Sequence, residues 1–112
     1  MKKAFLLILV LVVAAVLWRN EQKRKPPAFQ VGHRVTVTWD ASPSQGVTSY
    51  RIYASSVSGG PYTLVGFVDA RGPRIFVDTA VESRRTYYFV VTAVDFHGTE
   101  SPYSIQRRAE IP

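Results

Sequence analysis

The chain has 112 residues, enough for one domain, and no cysteine, which excludes a disulfide framework, a thiolate metal site, a cysteine nucleophile and a lipid anchor made by acylating cysteine. The net charge of +6 is that of a nucleic-acid binder at first sight. Its distribution says otherwise: Lys2, Lys3, Arg19, Lys23, Arg24 and Lys25 precede the domain with only Glu21 against them, whereas from residue 27 onward eight arginines stand against seven carboxylates. The folded part is nearly neutral, and no nucleic-acid partner is expected.

Residues 4–18, AFLLILVLVVAAVLW, are apolar without a break, with Lys2 and Lys3 before them and Arg19 after. A small soluble domain does not contain a helix that is apolar on every face, so the segment reads as one hydrophobic membrane helix. Two readings compete. A cleaved signal peptide fits the basic start and the apolar length, but the best cleavage site, Val13-Ala14-Ala15, is poor. An uncleaved anchor would be only about 22 Å long against a hydrocarbon core of about 30 Å. Snorkelling of Lys2, Lys3 and Arg19, with Trp18 at the interface, would make up the difference. The anchor is favoured, with the domain on the extracytoplasmic side; secretion or periplasmic release after cleavage is the alternative. The flanking charges oppose that orientation, since more Lys and Arg follow the segment than precede it. Residues 19–27, RNEQKRKPP, read as a basic, proline-ended linker.

From residue 28 the pattern changes to short alternating runs separated by turn residues. Strands are expected at Arg34–Trp39, Tyr50–Ala54, Tyr62–Val68 (with Gly66 as a weak spot or bulge), Arg74–Asp78, Tyr87–Val94 and Ser104–Ile111. A first strand is hard to see, with only Phe29 and Val31 to support it. Alternation puts Trp39, Tyr50 and Tyr87 on the core side and sends Tyr53, Tyr88 and Tyr62 outward. Short strands with no helical period mean an all-β antiparallel sandwich or barrel.

The phrases VTVTWDAS at 35–42, GVTSYRIYAS at 46–55, SGGPYTLV at 58–65 and TYYFVVTAVDFHGTES at 86–101 resemble, in this order and spacing, the bacterial variety of the fibronectin type III family. The likeness covers roughly residues 30–112. It implies a seven-stranded immunoglobulin-like sandwich over 28–112, with strands A-B-E facing C-C′-F-G. It also implies roles: Trp39 as the core tryptophan, Tyr87 as the tyrosine-corner residue and Val81 as the apolar residue beneath that ring. Arg107 departs from the family, standing where the last strand more often has an apolar residue; it reads as an edge charge or a register shift.

No catalytic residue, cofactor site or metal site is expected. His33 and His97 lack ligand-spaced partners, and no G-x-S-x-G or similar nucleophile motif occurs. Asp40, Asp78 and Asp95 end strands, where aspartate forms turns; Asp69, Glu82, Glu100 and Glu110 are likewise spread over turns and strand ends. The chain is read as a non-enzyme. Its candidate binding loop is Phe96 and His97, projecting from the end of the sandwich in the F–G loop. The outward tyrosines form a further candidate contact patch, although strand surfaces favour tyrosine in any case. The favoured function is an envelope-anchored module for binding a protein, still unidentified, or for spacing. The alternative is a secreted module contacting polysaccharide, since the bacterial relatives often accompany polysaccharide enzymes.

Overall fold

The computed structural model describes residues 9–14 and 32–112. Seven strands are described: β1 (Leu9–Ala14), β2 (His33–Thr38), β3 (Val47–Ser55), β4 (Thr63–Asp69), β5 (Ile75–Asp78), β6 (Thr86–Asp95) and β7 (Arg107–Glu110). They form two antiparallel sheets, ordered β1-β2-β5 and β4-β3-β6-β7. The six strands from His33 to Glu110 are the sandwich read from the sequence, one fewer than the seven expected of residues 28–112. The doubtful first strand at Phe29 and Val31 lies outside the described residues.

The hydrophobic helix was expected over 4–18. Of that segment the structure describes only Leu9–Ala14, whose backbone is a strand antiparallel to β2, from Leu9 opposite Thr38 to Ala14 opposite His33. The sequence LVLVVA is rich in β-branched residues, and β2 offers it an open edge. The rest of the segment, and the linker at 19–27, lie outside the described residues. No helix among the described residues is long and apolar enough to cross a membrane.

The core lies between the sheets and follows the period of two. Val35 and Val37 point in from β2 and Trp39 from just beyond its end, Tyr50 and Ile52 from β3, and Phe89, Val91 and Ala93 from β6. Trp39 is 3% exposed, and its ring meets Tyr50 edge-on with centroids 5.5 Å apart. That is a favoured aromatic geometry. The Tyr50 hydroxyl accepts the Ser42 N–H at 3.1 Å, so this ring also pins the turn between β2 and β3. Tyr87 packs against the core, and its hydroxyl accepts the Glu82 N–H at 2.9 Å; Val81 is buried in the same cluster. Asp78 forms the expected turn by accepting the Ala80 N–H at 2.9 Å.

Gly66 sits beside an irregularity, because Val65 is skipped where Ile52 pairs with Gly66 and Tyr53 with Leu64. The glycine is required by a close approach, not by its backbone angle. A Cβ at this position would lie 2.3 Å from the Phe76 ring of the facing sheet. Gly66→Ala is therefore expected to destabilise the chain by about 1–3 kcal/mol through overpacking. Urea unfolding followed by tryptophan fluorescence measures this, and an unchanged midpoint would mean that Phe76 yields without cost.

Candidate functional site

Strand β6 is buried on both faces. Its inward residues meet the core, yet the outward Val90 and Thr92 are each only 1% exposed. The cover on the outer face comes from residues 99–106, the stretch before β7. Pro102 has no N–H to give to a ladder, and residues 101–106 are two more than the four of β6 that they face, so regular pairing begins at Arg107 and not at Ser104 as expected. Two serines replace the missing ladder. Ser101 N–H donates to the Ala93 carbonyl at 2.8 Å while its Oγ accepts the Ala93 N–H at 2.9 Å. Ser104 does the same with Val91, at 2.9 Å in both directions. Val94 bridges Glu100 and Phe89 pairs with Arg107, so the four β6 residues between them face six, and the ladder resumes at Arg107 with its register shifted by two, as one reading of Arg107 expected.

This arrangement sets Glu100 over Thr92. The Glu100 Oε2 accepts from the Thr92 hydroxyl at 2.7 Å and from the Tyr53 hydroxyl, and Oε1 accepts from Arg51 Nη1 at 3.0 Å. Partial burial would raise the Glu100 carboxyl, but the Tyr53 and Thr92 hydroxyls and the Arg51 guanidinium outweigh it and hold the group below its ordinary range. Burial, and then the carboxylate beside it, push the Tyr53 phenol up. Bonding to Tyr53 and the charge of Glu100 raise Arg51.

Three tyrosines stand around this hub. Tyr103, 46% exposed, meets Tyr53 edge-on at 5.4 Å and Tyr62 edge-on at 5.0 Å. The Tyr62 hydroxyl donates to Gln106 Oε1, which also accepts the Gly59 N–H at 2.7 Å, while Gln106 Nε2 donates to Ser58 Oγ at 3.1 Å. Every phenol except that of Tyr103 is thus held by a named partner. Tyr53, Thr92, Glu100, Ser101, Pro102 and Tyr103 line an open depression of about 290 Å³. The site combines aromatic surface with fixed polar edges.

The expected loop is a separate feature. Phe96 is 69% exposed, its ring lies 4.1 Å from that of His97, and its N–H donates to the Gly46 carbonyl at 3.0 Å. Asp95 ties the turn by accepting the His97 and Thr99 N–H groups, each at 2.9 Å. No described hydrogen bond or ring contact joins this loop to the tyrosines. His33 Nε2 lies 3.3 Å from Ser83 Oγ, and among the described residues no group of three His, Cys, Asp or Glu could hold a metal ion. Alternation placed Tyr53 and Tyr62 outward, but it missed Tyr103, Arg51, Gln106 and the role of Glu100. The one signal near them was Pro102, which stands before the expected last strand and has no N–H to give to a ladder.

No family model matches the chain. An amylopullulanase of Thermoanaerobacterium saccharolyticum is 40% identical over 72 residues, which is 64% of this chain but 5% of that protein. The chain therefore spans a small fraction of that relative. Among solved structures, an Fn3-like protein from Clostridium thermocellum is 34% identical with a TM-score of 0.59, over 70% of this chain and 77% of that one. A beta-1,2-glucanase from Parabacteroides distasonis is 27% identical with a TM-score of 0.60, over 70% of this chain and 11% of that one.

The lowered Glu100 carboxyl fixes the sign of a pH effect. Its contribution to stability is present above the unfolded carboxylate value, about 4.3, and is lost as pH falls through the folded value. Glu100→Gln is expected to cost roughly 1–2 kcal/mol at neutral pH and to flatten the acid limb of the melting profile. Asp69, held at about 2 by hydrogen bonds from Arg71, keeps part of that limb in the variant. An acid limb identical to that of the wild type would contradict the assignment.

Proposed function

The chain belongs to the fibronectin type III family, and from that premise we propose that it is a non-catalytic module that contacts polysaccharide outside the cytoplasm. The observation that carries this reading is the cluster of Tyr53, Tyr62 and Tyr103, packed edge-on on an open sheet face with the Tyr53 and Tyr62 phenols tied to Glu100 and Gln106. An aromatic face carries negative charge density and attracts the slightly positive C–H face of a sugar ring. Fixed polar groups at the rim hydrogen-bond hydroxyls. The held rotamers mean that little side-chain entropy is lost on binding.

The similar amylopullulanase and beta-1,2-glucanase are by name carbohydrate-acting enzymes of which this chain matches a small share. That favours an accessory role over a catalytic one, and polysaccharide over a protein partner at Phe96 and His97. In this reading the apolar segment 4–18 serves export, which requires Leu9–Ala14 to leave the edge of β2, and residues 19–27 space the module from the membrane or from the cleavage point. Sequencing the amino terminus of the mature protein distinguishes the retained anchor from the cleaved leader.

The test of contact is affinity electrophoresis of the whole chain, in a non-glycosidic detergent, through gels containing starch, pullulan or a beta-glucan. Retarded migration in at least one gel is expected, with Tyr103→Ala restoring normal migration and Phe96→Ala leaving it retarded. Normal migration of the wild type throughout, or retardation that depends on Phe96, would overturn the proposal.

A further inference from the structure

Resting on the polysaccharide reading, we infer that the same face takes an uncharged linear glycan several residues long, with Phe67 as a second stacking position beyond the tyrosines. Phe67 is 70% exposed, on the edge strand β4. Its cross-strand partner is Arg51, and the partner of Leu64 is Tyr53. Arg51 and Tyr53 alternate with the buried Tyr50 and Ile52 and therefore point outward. Cross-strand partners share a face, so Phe67, Arg51, Leu64 and Tyr53 lie on one outer surface.

Two residues along a strand span about 7 Å, and diagonal neighbours across strands lie about 7–8 Å apart. That spacing puts Phe67 one step beyond the Tyr53 end of the aromatic cluster, with the half-exposed Arg51 side chain between them. A chain-end pocket would need a wall on this side. The structure instead leaves β4 as the open edge of its sheet, so a glycan can run on across it.

Charge selects the class of glycan. Arg51 and Glu100 neutralise one another at 3.0 Å. Asp69, at the far end of β4, is paired with Arg71 at 2.8 Å. The Glu100 oxygens are taken by Arg51, Tyr53 and Thr92. A balanced surface of this kind complements a neutral chain, whereas a polyuronate would bring carboxylates beside Glu100.

Titration calorimetry of the whole chain with neutral linear gluco-oligosaccharides, a disaccharide against a hexasaccharide, tests this. The wild type is expected to bind the hexasaccharide more tightly. Phe67→Ala is expected to weaken the hexasaccharide roughly three- to ten-fold, the size of one aromatic contact, and to leave the disaccharide unchanged. Tyr103→Ala is expected to abolish both, and a hexagalacturonate to bind more weakly than the neutral hexasaccharide. Equal hexasaccharide affinity in wild type and Phe67→Ala would overturn the extended site while leaving tyrosine-dependent binding intact. Preference for hexagalacturonate would overturn the neutral class, and binding of no oligosaccharide would overturn the inference and the reading beneath it. A wild-type dimer that Phe67→Ala converts to monomer, whether or not sugar is present, would assign Phe67 to self-association instead. Phe67 is a surface residue, so a matching melting temperature certifies that the variant is folded.

Discussion

The double burial of β6 is the constraint on which the outer face depends. A strand covered by the core on one side and by loop 99–106 on the other has two sets of residues to satisfy. Phe89, Val91 and Ala93 are satisfied by packing. Thr92 is not, because its hydroxyl is taken out of water on the outer side, where an unpaired polar group would cost on the order of 1–3 kcal/mol. Glu100 meets that need, and a carboxylate brought to Thr92 needs donors of its own. Arg51, directly opposite Thr92 on β3, and Tyr53, two residues further along that strand, supply them. The position of Tyr53, on which Tyr103 leans, thus follows from a buried threonine.

The two serines make the cover possible. A regular last strand would have sent alternate side chains of residues 100–106 into the sandwich and out of it, with no reason for Tyr103 to lean over Tyr53. With Pro102 interrupting the ladder, Ser101 and Ser104 bond to β6 from both backbone and side chain. Residues between them are then free to lie across the sheet. The aromatic face is preorganised by backbone-level bonds, which is the condition under which shallow sites bind at all.

Much of the sandwich was legible from alternation. Trp39, Tyr50 and Tyr87 face the core because each sits in phase with the buried residues of its strand, and the six strands begin and end within a few residues of the runs that marked them. The exception is the last strand, expected from Ser104 and formed only from Arg107, because residues 101–106 outnumber the β6 residues they face by two, a tertiary register that local pattern does not reveal. Gly66 was legible as a weak point, but the Phe76 ring that requires it is a contact between sheets, invisible to local pattern. The candidate site was half legible. Tyr53 and Tyr62 lie on strand-derived faces or beside them, whereas Tyr103, Glu100 and Gln106 come from an aperiodic stretch whose placement depends on tertiary bonds. The Phe96–His97 loop was read as a projecting end, and so it is, but its bonds close on Gly46 and Asp95. The apolar segment was read from hydropathy as a helix. Of it only Leu9–Ala14 is described, as a strand beside β2, and the rest of the expected helix lies outside the described residues.

The central claim is that the outer face of β4-β3-β6-β7, and not the loop end, is where this module meets its ligand. The most direct measurement is a residue-resolved NMR titration of the whole chain with a neutral linear hexasaccharide. The account predicts saturable shifts concentrated at Arg51, Tyr53, Tyr62, Phe67 and Tyr103, with Phe96 and His97 unmoved. Shifts confined to Phe96 and His97, or none anywhere, would contradict it.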